Sequence, residues 1–291
     1  MTVSWKMRLG FLGPLVLLPG LLVVWPAAEL LILSLKTQVV LFDVDRWVGL
    51  DNFIFLFTQD LRFWNALTNT LFFTLVSVGL ELALGLALAL YLRFARDPAW
   101  LKMVLLLPWA IPNVISARLW QWMFHSQAGL INYCLETLGL VSGPVPWLAS
   151  PDLAMHCAII ADVWKTTPFM TVLLYAGLQS LPESLLQAAR VDRTPPWRFL
   201  HRIVLPLLRP AIVTALLLRG LDAFRVFDVI YVMTGGGPAN STETLSLYIY
   251  RTYFQALQFG YGSAVVLVQV AAMLALAALL IRLRRPAGGG P

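Results

Sequence analysis

The stretch Gln187-Ala188-Ala189-Arg190-Val191-Asp192, with Trp197, Phe199 and Ile203-Val204-Leu205-Pro206 behind it, is polar, charged and broken by proline, yet it lies between two long apolar runs. It cannot sit in hydrocarbon, because its polar groups would find no partners there. It must be a structured loop at a membrane face, so the apolar runs on either side read as membrane spans. Composition agrees. Apolar residues make up 59% of the 291-residue chain and charged residues 12%, about half the charge of a soluble domain. Mean hydropathy is +0.76.

Outward from this loop (179–206), six runs can cross a hydrocarbon layer of about 30 Å, which takes about 20 helical residues. They cover approximately 11–35, 68–92, 103–124, 153–178, 207–232 and 261–281. Each is continuous rather than alternating in polarity, which excludes barrel strands. The expected fold is therefore an all-α integral membrane protein of six transmembrane helices, a single domain over 1–291.

Orientation follows from lysine and arginine. With the N-terminus inside, the cytoplasmic segments hold thirteen: Lys6, Arg8, Arg93, Arg96, Lys102, Arg190, Arg193, Arg198, Arg202, Arg209, Arg282, Arg284 and Arg285. The outer segments hold four: Lys36, Arg46, Arg62 and Arg251. Both termini and the 179–206 loop are thus expected in the cytoplasm of a multi-pass plasma (inner) membrane protein. This bias accounts for the net charge of +6. No clustered basic face with base-reading elements is present, which excludes nucleic acid as a partner. The first run follows Lys6 and Arg8, but its apolar core continues to Leu35, longer than a signal peptide allows; it reads as a retained span. Cys134 and Cys157 are expected unpaired.

Local signals add detail. Val48-Gly49-Leu50-Asp51-Asn52-Phe53 reads as a turn into a short amphipathic helix at the interface. Pro14, Pro19, Pro26, Pro108, Pro112, Pro168 and Pro210 are expected to bend spans. In the loop, Ser180 and Glu183 have capping-box spacing, with Pro182 in the first turn. The helix that follows is expected to carry Leu185, Leu186, Ala188 and Ala189 on one side. Thr194 is the expected N-cap of a second short helix starting at Pro195, and Pro206 and Pro210 mark the entry to the fifth span. The result would be a knob of paired helices.

Nine ionisable residues fall inside the runs: Glu29, Glu81, Arg118, Asp162, Lys165, Arg219, Asp222, Arg225 and Asp228. Each should face a cavity or another charge. Acid and base alternate every third position from Arg219 to Asp228, a spacing that brings side chains together on one helical stripe; Asp162 and Lys165 share it. Two readings stay open: internal salt bridges that hold the bundle, or a polar substrate cavity near the midplane. No metal-ligand set and no G-x-x-x-x-G-K-[ST] phosphate loop occurs, and Gly235 to Gly237 run into Pro-Ala-Asn.

At the loop the chain resembles the permease subunits of binding-protein-dependent ABC importers, in the sugar-type branch of maltose and glycerol-phosphate systems. The loop motif of that family, Glu-Ala-Ala, three residues, Gly, then apolar residues to Ile-x-Leu-Pro, appears as Gln187-Ala188-Ala189, Asp192-Arg193 and Ile203-Val204-Leu205-Pro206. Further pieces follow in order: Leu107-Pro108-Trp109-Ala110-Ile111-Pro112, Ala176-Gly177-Leu178-Gln179-Ser180-Leu181-Pro182, Phe227-Asp228-Val229-Ile230-Tyr231, Thr234-Gly235-Gly236-Gly237-Pro238 and Phe259-Gly260-Tyr261-Gly262-Ser263-Ala264. Two departures stand out: Gln187 replaces the Glu, and Arg193 replaces the Gly, so a different turn or strain is expected there.

The resemblance implies a type I importer permease fold with a cytoplasmic coupling helix at 183–200, half of a heterodimeric pore. It implies as partners a second homologous permease, a dimer of ATPase subunits and an extracytoplasmic solute-binding protein, besides the bilayer. Contact with the ATPase would fall on Glu183, Gln187, Ala188, Ala189, Asp192, Arg193, Trp197 and Phe199. Substrate positions carried over are Asp162, Lys165, Thr166 and Phe169 in the fourth span and Arg219, Asp222, Ala223 and Val226 in the fifth. The chain would bind no cofactor and catalyse no reaction, ATP and Mg being held by the ATPase. A sugar or polyol is the expected cargo, with a glycerol-phosphate-type substrate as the rival. From other classes, an ion-coupled carrier with Asp162 or Asp222 as proton site, or a channel or receptor subunit, also remains open.

Overall fold

The computed structural model describes residues 17–94 and 99–284. Lys6, Arg8, Pro14 and the start of the first run (11–16), with Arg96, Arg285 and the tail from Gly288 to Pro291, lie outside the described residues. The described chain runs through a π-helical turn Gly20–Val24, α1 (Trp25–Ser34), β1 (Lys36–Val39), β2 (Val44–Trp47), α2 (Asp51–Thr58), α3 (Leu61–Phe94), α4 (Ala99–Ala110) and α5 (Asn113–Met123). There follow α6 (Leu130–Thr137), α7 (Pro151–Gln179), α8 (Glu183–Val191), α9 (Pro196–Phe199), α10 (Leu205–Phe224), α11 (Asp228–Met233), α12 (Leu245–Tyr250) and α13 (Phe259–Arg284).

Five of these stretches are long and apolar enough to cross a membrane: Leu17–Ser34, Leu61–Phe94, Pro151–Gln179, Pro196–Phe224 and Phe259–Leu283. The third expected span is not one rod. Its two halves, α4 and α5, meet at a 97° bend. Pro112 causes it: proline has no N–H to extend the ladder and drives the residue before it out of the helical region, and Pro112 itself has φ −56° and ψ 142°. The fifth span also departs from 207–232. It begins at Pro196 and ends at Phe224, where Arg225 (φ −98°, ψ 20°) leaves the helix. No proline or glycine marks this stop. The Val226 carbonyl accepts from Thr244 Oγ1 at 3.1 Å instead of from a helical N–H.

Pro206 and Pro210 therefore lie inside this helix rather than at its entry. A π-helical turn, Leu200–Val204, sits just before Pro206. The widened turn makes room where the proline ring would otherwise strike the carbonyl four residues back.

The described residues divide into two compact units, those up to 64 with 248–272 and those of 65–247 with the ones from 273 on. In the first, β1 and β2 pair antiparallel with Lys36 opposite Trp47, a hairpin that sequence patterning did not suggest. Asn52 ties α2 to the chain before it, donating from Nδ2 to Ser34 O and Lys36 O at 2.8 Å each. Asp60 is buried and serves three donors: the Phe63 N–H at 3.0 Å, which caps α3, and the phenols of Tyr248 and Tyr261. Burial pushes the Tyr248 phenol up to about 12, so it remains a donor. At Gly260 the backbone passes so close to β1 that a Cβ would sit 2.0 Å from Lys36 O.

In the second unit α7 is the central element, with buried residues on all sides from Ala154 to Leu178. Gly177 lets α10 approach: a Cβ there would meet the Ala211 methyl at 2.5 Å. Elsewhere the surface stays apolar; Leu22 in the π-helical turn before α1 is 68% exposed and Leu274 on α13 is 67% exposed. Such faces cost nothing in lipid and would be a liability in water.

Candidate functional site

Arg219, on α10, is 2% exposed, and each of its three nitrogens bonds a carboxylate, the carboxylates coming from three helices. Nε and Nη2 grip Glu81 of α3 at 2.6 and 3.0 Å, a bidentate pair. Nη2 also reaches Asp162 of α7, and Nη1 reaches Asp222 at 3.1 Å. Asp222 is shared, its other oxygen taking Arg225 at 3.1 Å. Thr166 donates to Glu81 at 2.7 Å. The three-residue alternation thus pairs as expected from Arg219 to Arg225. It fails at Asp228, which starts α11 and accepts from Asn113 Nδ2 at 2.9 Å.

Lys165 does not pair with Asp162. Its ammonium donates to Ile111 O at 2.8 Å and Trp109 O at 3.3 Å. The bend at Pro112 removes their helical partners, and a cation supplies donors in their place. Glu29 and Arg118 form no ion pair among the described residues, and Arg118 bonds Gln121 instead.

Beside this cluster lies a cavity of about 300 Å³. Asp162, Lys165, Thr166, Arg219, Asp222 and Val226 all line it, joined by Asn113, Arg225 and Asp228. Phe169 and Ala223 do not. Phe169 stacks on Trp109 at 5.7 Å, and Ala223 is packed away at 1% exposure. Glu81 was legible only as an intramembrane acid, and nothing local pointed to its partner 138 positions away. The walls offer carboxylate acceptors, an amide and an ammonium at short range. That set suits a neutral ligand rich in hydroxyls. The Arg219 guanidinium is buried and each of its three nitrogens already serves a carboxylate, so it offers a phosphate little.

The polar loop at 179–206 forms α8, then a tight reversal into α9. Thr194 N–H bonds Ala189 O at 2.9 Å, a Schellman closure with Arg193 at its left-handed position, φ +47°. The missing glycine is thus met by Arg193 in the left-handed conformation itself, at a cost of about 1–2 kcal/mol. The four small and apolar residues of α8 do not share a side: Leu186 and Ala189 are buried, whereas Leu185 and Ala188 are exposed. Gln187, Asp192 and Trp197 are exposed too, and Phe199 packs edge-on against Phe94 at 6.0 Å. Glu183 pairs with Arg93 at 3.0 Å.

Two expected caps are absent. Ser180 Oγ turns back to Gly177 O at 2.7 Å, and Pro195, not Thr194, occupies the N-cap of α9, which begins at Pro196. Both positions follow from chain direction: each hydroxyl residue ends the preceding helix. Cys134 and Cys157 are free. The glycine-rich segment is pinned by Asn65 and Asn69, which donate to Asn240 O at 2.9 and 3.3 Å.

Residues 81–285 match a family described as "Binding-protein-dependent transport system inner membrane component". Over 291 residues the chain is 40% identical to the trehalose/maltose transport system permease protein of Thermococcus litoralis, covering 98% of this chain and 97% of the relative. It is 36% identical to the sulfoquinovosyl glycerol transport system permease protein of Agrobacterium fabrum, over 94% of this chain and 89% of the relative. A bacterial ABC transporter that imports the acidic polysaccharide alginate has the same fold, with a TM-score of 0.83 over 96% of this chain and 95% of that one at 24% identity.

Proposed function

The chain belongs to the family of inner-membrane components of binding-protein-dependent transport systems, and on that footing we propose that it forms half of the translocation pathway of an ATP-driven importer for a sugar or related polyol. A second homologous permease completes the pore. A dimer of ATPase subunits, which hold ATP and Mg, docks on the cytoplasmic side, and an extracytoplasmic binding protein delivers the cargo. Both termini and the 179–206 loop then lie in the cytoplasm.

The carrying observation is the cavity lined by Asp162, Lys165 and Asp222, with a polar set of side chains and a buried guanidinium whose nitrogens each already bond a carboxylate. A hydroxyl-rich cargo would bond the free lone pairs of Asp222 and Asp228 and the Asn113 amide. A phosphorylated polyol has less support, since only Lys165 and Arg225 offer it charge, and Lys165 is engaged by two carbonyls.

In the proposed cycle, closure of the ATPase dimer on ATP moves α8. Because α9 continues through the π turn into α10, a push on the loop travels along one rigid helix to Arg219 and Asp222. The helices rock until the cavity faces outward, cargo enters from the binding protein, and hydrolysis resets the bundle.

Asp222→Ala tests the cavity. Arg219 keeps Glu81 and Asp162, so the chain should reach the membrane at normal abundance. Sugar uptake in cells should fall about tenfold or more, the usual effect of losing a hydrogen bond to a charged group. Normal uptake would leave Asp222 a salt-bridge residue only.

A further inference from the structure

Beyond the central cavity, and resting on the sugar reading above, we propose that the outer end of α5 carries a second carbohydrate subsite, a platform built on Trp122 that holds cargo before it enters the central cavity. The same two helices line both places in succession. Ser116 and Ala117 of α5 and Val229 of α11 face the central cavity, while Arg118, Gln121 and Trp122 of α5 and Met233 of α11 line an outer hollow of about 550 Å³. From Asn113 to Trp122 a helix rises about 14 Å, a short step for a solute passed inward.

The chemistry of the hollow is that of a sugar site rather than of plain apolar packing. Trp122 is 58% exposed and borders two hollows at once, the second of about 250 Å³ with Gln127, Tyr133 and Glu136 in its wall. An exposed indole that borders both hollows, flanked by planar polar groups, matches the alternating apolar faces and equatorial hydroxyls of a pyranose. The polar groups are aimed in advance. Gln121 Nε2 is anchored on Met233 O at 3.2 Å, and its Oε1 takes Arg118 Nη1 at 2.8 Å, which leaves the rest of the Arg118 fork open. In the central cavity, by contrast, every nitrogen of Arg219 already bonds a carboxylate.

The back wall is rigid. Trp147 donates to Asn132 Oδ1 at 2.7 Å and packs with Phe124 in a buried cluster that includes Ala117 and Met233. A preformed wall costs little to order when cargo binds.

The test is equilibrium binding of radiolabelled trehalose and maltose to the complete transporter in nanodiscs, without binding protein. Two classes of site are expected in the wild type. Trp122→Ala should lose one class, Arg118→Ala should weaken the same class at least tenfold, and Trp122→Phe should retain it. Asp222→Ala should affect the other class alone. Wild-type binding in both Trp122→Ala and Arg118→Ala would overturn the subsite and make Trp122 a lipid-facing anchor. Unchanged sugar binding with weakened capture of the binding protein would overturn it in favour of a protein contact. If the wild type binds neither sugar, the sugar reading itself falls, and the subsite with it.

Discussion

Arg219→Ala should destabilise the folded chain more than any other single substitution in the spans. Removing one partner of a buried ion pair typically costs about 3–5 kcal/mol, because the other charge is left without compensation. Here the removal strands two carboxylates, Glu81 and Asp162, which then repel one another where water is scarce, and leaves Asp222 only Arg225. Glu81→Ala should cost less, since Arg219 keeps Asp162 and Asp222. Arg219→Lys should fall between wild type and alanine, because a point ammonium cannot bridge three carboxylates as the planar fork does. Thermal melting of the detergent-purified chain should drop by about 10 °C for Arg219→Ala, with membrane abundance falling in parallel. Melting equal to wild type would mean that the cluster does not hold α3, α7 and α10 together.

Ala188→Arg should leave the chain folded and stop transport. Ala188 lies on the exposed side of α8, so a long charged side chain there can extend away from the helix without burial. In the proposed complex that side enters the ATPase, where an unmatched charge is excluded or left unpaired. Uptake should fall at least about tenfold, with normal abundance and weakened co-purification of the ATPase. Leu186→Asp is the contrast. Leu186 is 3% exposed and packs inward, so this substitution should lower abundance of the chain itself. Ala189, 9% exposed, belongs with Leu186 and not with Ala188. Wild-type uptake by Ala188→Arg would show that α8 does not transmit the stroke.

What could be read in advance follows the range of each interaction. Apolar length alone located the long spans, since crossing hydrocarbon needs a fixed number of residues whatever they pack against. The pairing of Arg219, Asp222 and Arg225 was legible because it is local to one helix. Glu81 with Arg219 was not, because 138 positions separate them and only tertiary packing brings them together. The break at Pro112 was foreshadowed as a bend, but not that Lys165, 54 positions after Ile111, would donate to the freed carbonyls. The stop at Phe224 had no residue signal at all. Nor did the Asp60 cluster, where one carboxylate collects donors from three separate segments. The loop at 179–206 was legible as polar and helical, yet which of its residues face outward depends on α8 packing by Leu186 and Ala189.

The most direct measurement is uptake of the labelled sugar that the binding protein holds, into proteoliposomes that hold this chain with its second permease and ATPase, with loaded binding protein outside. Uptake should require ATP and Mg on the ATPase side, stop when the binding protein is omitted, and persist in a protonophore. Uptake that continues without ATP and collapses with the protonophore would contradict the account and make the chain an ion-coupled carrier.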